Sequence, residues 1–101
     1  MRKKLILFVF RRSLEETVKR LLGEMHVGGY TIMHTGVTGR GETGEVSGTF
    51  EAPGENAVLL LTLDEETSVK VCEKFKEFHN SSEARFKVPL RLFVLPCEQI
   101  L

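Results

Sequence analysis

Leu5-Ile6-Leu7-Phe8-Val9-Phe10 and Ala57-Val58-Leu59-Leu60-Leu61 are two apolar runs with no polar alternation. A strand with one face in water alternates apolar and polar residues. An unbroken run suits a strand buried on both faces. The runs therefore predict two central strands, over about Lys4 to Phe10 and Ala57 to Leu63.

Each run is followed by a helical pattern. Ser13-Leu14-Glu15-Glu16 reads as a capping box, in which the Ser13 hydroxyl accepts from the Glu16 N–H and the Glu16 carboxylate reaches back. Leu14, Val18, Leu21, Leu22 and Met25 then form one stripe, leaving Lys19, Arg20 and Glu24 for solvent. Asp64-Glu65-Glu66 opens the second helix, because negative charge suits a helix N-terminus, and Val71, Cys72, Phe75 and Phe78 give its buried side. His79-Asn80-Ser81-Ser82 closes it. Two weaker strands complete the chain. Tyr30 to Thr35 roughly alternates and reads as half exposed, and Leu90 to Leu95 is stopped by Pro96.

Strand-helix-strand twice predicts an α+β, ferredoxin-like βαββαβ two-layer sandwich with a four-stranded antiparallel sheet. In that topology the first and third strands are central, and these are the two unbroken apolar runs. Two helices cover one sheet face. The other face needs a cover, and the simplest is another copy of the chain.

Between the second and third strands lies a long polar segment, Gly39 to Asn56. Its glycines, with Pro53, hold neither strand nor helix easily, and a loop of this length in a compact domain is usually functional or mobile.

Composition narrows the function. The 101 residues suffice for one domain, 1–101, with a modest core. Fourteen basic residues balance fourteen acidic ones, which argues against broad attraction to nucleic acid or an anionic membrane. Arg2-Lys3-Lys4 before an apolar run imitates a signal peptide, but Arg11 and Arg12 end the run and no small-residue cleavage site follows. No stretch reaches the roughly twenty apolar residues of a membrane span. The expectation is a soluble, cytoplasmic protein that is not embedded in a membrane. Cys72 and Cys97 are too far apart for a CxxC redox or zinc motif and read as reduced, structural thiols.

Three places resemble the P-II nitrogen-regulatory superfamily. Val27-Gly28-Gly29-Tyr30-Thr31 followed by Gly36-Val37-Thr38-Gly39 is similar to the family's "v-x-G-x-T … G-x-G" entry into its T-loop. Leu61-Thr62-Leu63-Asp64-Glu65 resembles its second half. Leu92-Phe93-Val94-Leu95-Pro96-Cys97-Glu98-Gln99-Ile100 resembles the ending "iFVLPVEEVI" and is the most specific of the three. The resemblance implies a homotrimer with sheets facing inward, and adenine nucleotides held in clefts between subunits by the T-loop base and a basic connector, the B-loop. ATP, ADP or AMP are the candidate ligands. It also implies a target protein controlled through the loop, for which a membrane transporter is a common choice in the superfamily.

The chain departs from the family pattern. Gly36-Val37-Thr38-Gly39-Arg40-Gly41-Glu42 lacks the T-loop glutamine, and the only tyrosine is Tyr30, so the loop has no uridylylation acceptor. The B-loop glycines are missing before Val88-Pro89-Leu90-Arg91, and the two arginines that usually follow the last strand have no counterpart before Leu101. The resemblance thus implies a divergent, P-II-like sensor.

Candidate site residues follow. Gly36, Val37, Thr38, Gly39, Arg40 and Gly41 can converge backbone N–H groups on an anion, with Arg40 adding a bidentate contact; a loop that needs glycine only for its turns reads the same way. Arg85, Lys87 and Arg91 stand where a P-II-like cleft needs cations, and equally suit a solvated edge that discourages aggregation. His26, His34 and His79 have no metal-ligand spacing. Ser13, Ser47 and Cys72 lack an identifiable base, so no catalytic role is expected. The functional expectation is a regulator that binds a small anionic ligand, whose contacts order the Gly39–Asn56 loop for docking on a partner. The rivals are a metal-binding trimer resembling the CutA group and an ACT-type ligand-binding module.

Overall fold

The computed structural model describes residues 2–34, 40–41, 44–45, 56–81 and 90–101. In chain order they form β1 (Lys3–Arg11), a 3-10 turn (Arg12–Leu14), α1 (Glu15–Glu24), β2 (Thr31–Met33), β3 (Arg40–Gly41), β4 (Gly44–Glu45), β5 (Asn56–Asp64), α2 (Glu65–His79) and β6 (Arg91–Cys97). The main sheet runs β2-β5-β1-β6 with every neighbouring pair antiparallel. The two unbroken apolar runs are its central strands, as expected of a ferredoxin-like fold.

Strand alternation sorts β1 and β5 into two faces. Ile6, Phe8, Phe10, Ala57, Leu59 and Leu61 are buried, and they share one core with Leu14, Val18 and Leu22 on the α1 side and Val71, Phe75 and Phe78 from α2. Fully burying one such phenylalanine contributes about 3 kcal/mol. The helices lie on this face.

The opposite face is also apolar. Its cross-strand rungs follow from the register. Leu5 pairs with Thr62 and Leu95, Leu7 with Leu60 and Phe93, and Val9 with Val58 and Arg91. Thr31 and Met33 of β2 extend the last two rungs beside Leu60 and Val58. Phe93, Leu95 and Met33 are 51%, 44% and 44% exposed, so among the described residues no element covers them.

Several local expectations change. The capping box does not form: Ser13 sits inside the 3-10 turn, and neither that turn nor α1 has a side-chain cap. Burial of Leu14 draws the chain into helical geometry early, so Ser13 no longer occupies the N-cap position. The acidic start of α2 holds as expected: Asp64 is its N-cap, the carboxylate accepting from the Thr67 N–H at 3.1 Å. Pro96 does not stop β6, which continues to Cys97 with Pro96 opposite Lys4. An edge strand tolerates proline because half of its N–H groups face away from the ladder. Finally, the glycine-rich segment holds a short hairpin, with Arg40 opposite Glu45 and Gly41 opposite Gly44. Glycine weakens a strand but does not forbid a two-residue pairing.

Candidate ligand-binding site

The site begins where α1 stops. Met25 N–H donates to the Leu21 carbonyl at 3.1 Å, His26 N–H to Gly23 at 3.0 Å and Val27 N–H to Leu22 at 3.0 Å. This closing turn needs one left-handed residue, and His26 supplies it with φ 59. The chain therefore reverses at His26, and residues 27–30 run out to the edge of the sheet before entering β2.

That edge forms a hollow of about 500 Å³ lined by Val27, Gly29, Tyr30 and Thr31 on one side and by Leu5, Leu60, Thr62 and Leu63 on the other. A Cβ added at Gly28 or Gly29 would meet nothing within 4 Å, so these glycines leave open space. Thr31 and Thr62 are exposed and bring hydroxyls that both donate and accept, while Leu5 and Leu60 give an apolar floor. The volume falls in the range of small-molecule sites, roughly 300–1,000 Å³. A flat ring with polar edges suits such a surface.

The far end of the same sheet gathers the residues that flank the two long connections. β1 ends at Arg11 opposite Asn56, the first residue of β5, and β6 starts at Arg91 opposite Val9. His34 follows β2 at this end. Asn56 is 3% exposed, and its Oδ1 is buried without a hydrogen-bond partner. Arg91 is exposed, and its guanidinium Nη1 donates to the Leu90 carbonyl at 3.0 Å. Of the other candidates, Arg40 and Gly41 lie in β3, described by backbone alone. Gly36, Val37, Thr38, Gly39, Arg85 and Lys87 fall outside the described residues.

Among the described residues no three of His, Cys, Asp or Glu converge on a common point. Cys72 and Cys97 are free thiols, and burial pushes the Cys72 thiol above its ordinary range. Also among these residues, no helix is long and apolar enough to cross a membrane.

The profile of the family described as Nitrogen regulatory protein P-II matches residues 3–101. The chain belongs to the P-II family. Solved structures agree at the level of the fold. CPII from Thiomonas intermedia K12, a nitrogen regulatory PII-like protein bound to ADP, AMP and bicarbonate, superposes with a TM-score of 0.71 at 22% identity, covering 96% of this chain and 93% of that one. Another CPII structure, bound to ADP and bicarbonate, gives 0.68 at 21% identity over 98% and 91% of the two chains. A PII-like signaling protein from Thermus thermophilus gives 0.66 at 20% identity over 96% and 88%. No curated protein matches the chain.

Within this P-II family chain, Val27 to Thr31 is visible in the sequence only as a family-like motif, and its role as a wall of the hollow comes from the fold. Thr62 carries one signal, as the polar residue that interrupts an apolar strand. Its pairing with Leu5 beside Thr31 depends on register, which spacing along the chain does not contain.

Proposed function

We propose that this P-II family protein is a cytoplasmic signal-transduction regulator, not an enzyme. It assembles as a homotrimer, binds an adenine nucleotide in clefts between subunits and controls a partner protein through the Gly39–Asn56 segment. The observation that carries the ligand reading is the hollow between Gly29-Tyr30-Thr31 and Leu5-Thr62, which lies on the motif shared with the family and has room for a purine. The solved CPII structures with ADP and AMP bear on the ligand's class.

The trimer reading draws on the open sheet face. Apolar rungs from Leu5 to Val9, with Phe93 and Leu95 exposed, form a contiguous patch of the kind that marks an interaction surface. Packing the open faces of three copies together would bury it. A neighbouring subunit would then bring its loop end, with Arg91, toward the hollow and its bound anion.

Thermal unfolding with ATP, ADP, AMP and cyclic AMP, each with and without magnesium and bicarbonate, tests the ligand. A concentration-dependent rise in Tm with an adenine nucleotide supports the reading, because a ligand of the native state stabilises by mass action. Thr62→Trp, which fills the hollow, should abolish that rise. No rise with any nucleotide would exclude the purine reading.

A further inference from the structure

Among the described residues Tyr30 is the only aromatic side chain that lines the hollow. Its place is fixed from both sides. The reversal at His26 delivers residues 27–30 to the sheet edge, and the next residue, Thr31, is held in the ladder opposite Leu60. β2 pairs with β5 from Leu60 to Val58, so Tyr30 stands where the two strands part, with Leu61 to Leu63 of β5 beside the opening. The side chain is nevertheless poorly covered. Tyr30 is 37% exposed, whereas Phe8, Phe10, Phe75 and Phe78 are at most 4% exposed. Among the described residues its hydroxyl makes no hydrogen bond, and Gly28 and Gly29 leave open space beside it.

We infer that Tyr30 is the stacking residue for the nucleotide base, holding it against the apolar floor of Leu5 and Leu60. The assignment rests on the adenine-nucleotide reading above and deepens it by naming the side chain that grips the base. Neither core packing nor a hydrogen bond accounts for this ring, and tyrosine offers a large rigid surface with only two side-chain torsions to immobilise. A purine presents a flat π-face that an aromatic ring covers, while its polar edge stays free for the Thr31 and Thr62 hydroxyls. A base entering the hollow therefore meets the Tyr30 ring on one wall and the two leucines on the other.

Calorimetric titration of wild type, Tyr30→Phe and Tyr30→Leu with AMP and ADP tests this, together with the tyrosine emission of the wild type. Tyr30→Phe should keep both affinities within about twofold, and Tyr30→Leu should weaken both by about tenfold or more, because AMP and ADP share the base. Tyr30 is the sole tyrosine of a chain without tryptophan, so quenching of the emission by ADP reports this ring alone and should saturate with the calorimetric curve. A purely structural residue would instead shift the unliganded Tm in Tyr30→Leu and leave the emission unchanged by ADP. Unchanged ADP affinity in Tyr30→Leu overturns the assignment and leaves the adenine reading standing. Equal loss in Tyr30→Phe also overturns it, moving the contact to the hydroxyl. A wild type that binds neither nucleotide overturns both.

Discussion

Phe8 of β1 and Phe75 of α2 stack with ring centroids 4.6 Å apart and planes 23° from parallel. Phe10 adds a tilted contact to Phe8 at 5.4 Å, so one aromatic column ties the central strand to the second helix. Both Phe8 and Phe75 are at most 2% exposed. Phe75→Ala removes the stack and leaves a cavity, so it should lower stability by about 3–5 kcal/mol. Urea unfolding followed by circular dichroism measures it, and a change under about 1 kcal/mol would show that the helix docks by other contacts.

The α2 cap should show in acid. Hydrogen bonds from the Thr67 side chain and then its backbone N–H hold the Asp64 carboxylate below its ordinary value of 3.8. A folded pKa below the unfolded one means that the cap's contribution is present above the unfolded value and is lost as pH falls through the folded value. Asp64→Ala should therefore lower Tm at neutral pH, and the gap between variant and wild type should narrow as the pH falls below the ordinary carboxyl value of 3.8. A gap that stays constant from neutral pH into acid would contradict the capping role.

His26 holds a left-handed conformation that costs a side-chain residue about 1 kcal/mol or more. His26→Gly relieves that cost while adding chain entropy to the unfolded state, for a net gain of about 0.5 kcal/mol. His26→Val, β-branched at positive φ, should destabilise. Paired denaturation curves decide the sign, and the opposite order would mean that the His26 side chain makes a contact outweighing its backbone cost.

The open face predicts assembly. Phe93→Asp places a charge on an apolar rung beside Leu7, so it should shift the proposed trimer to monomer in sedimentation velocity while leaving the secondary structure intact. Persistence of the trimer would move the interface to another surface.

The broad fold was legible because strand burial is written in residue order. The two unbroken runs predicted the central strands, and the loss of alternation predicted a sheet that is apolar on both faces. Local signals failed where tertiary burial outweighed them. Ser13 has the spacing of a cap, yet Leu14 enters the core and carries Ser13 into a 3-10 turn. Pro96 has the character of a stop, yet its place on an edge strand removes the reason to stop.

For the site, the sequence by itself offered a family-like glycine-threonine motif from Val27 to Thr31, the glycine-rich stretch Gly36 to Gly41 with Arg40, and the cations Arg85, Lys87 and Arg91. It also determined membership of the P-II family, through motifs spread along the chain. Only the tertiary structure decided which of these residues meet. Thr31, Thr62 and Leu5 are far apart in the chain and share a hollow because β1 and β2 pair with opposite edges of β5. Same-face neighbours repeat every second residue in a strand, and antiparallel register carries that repeat across the sheet.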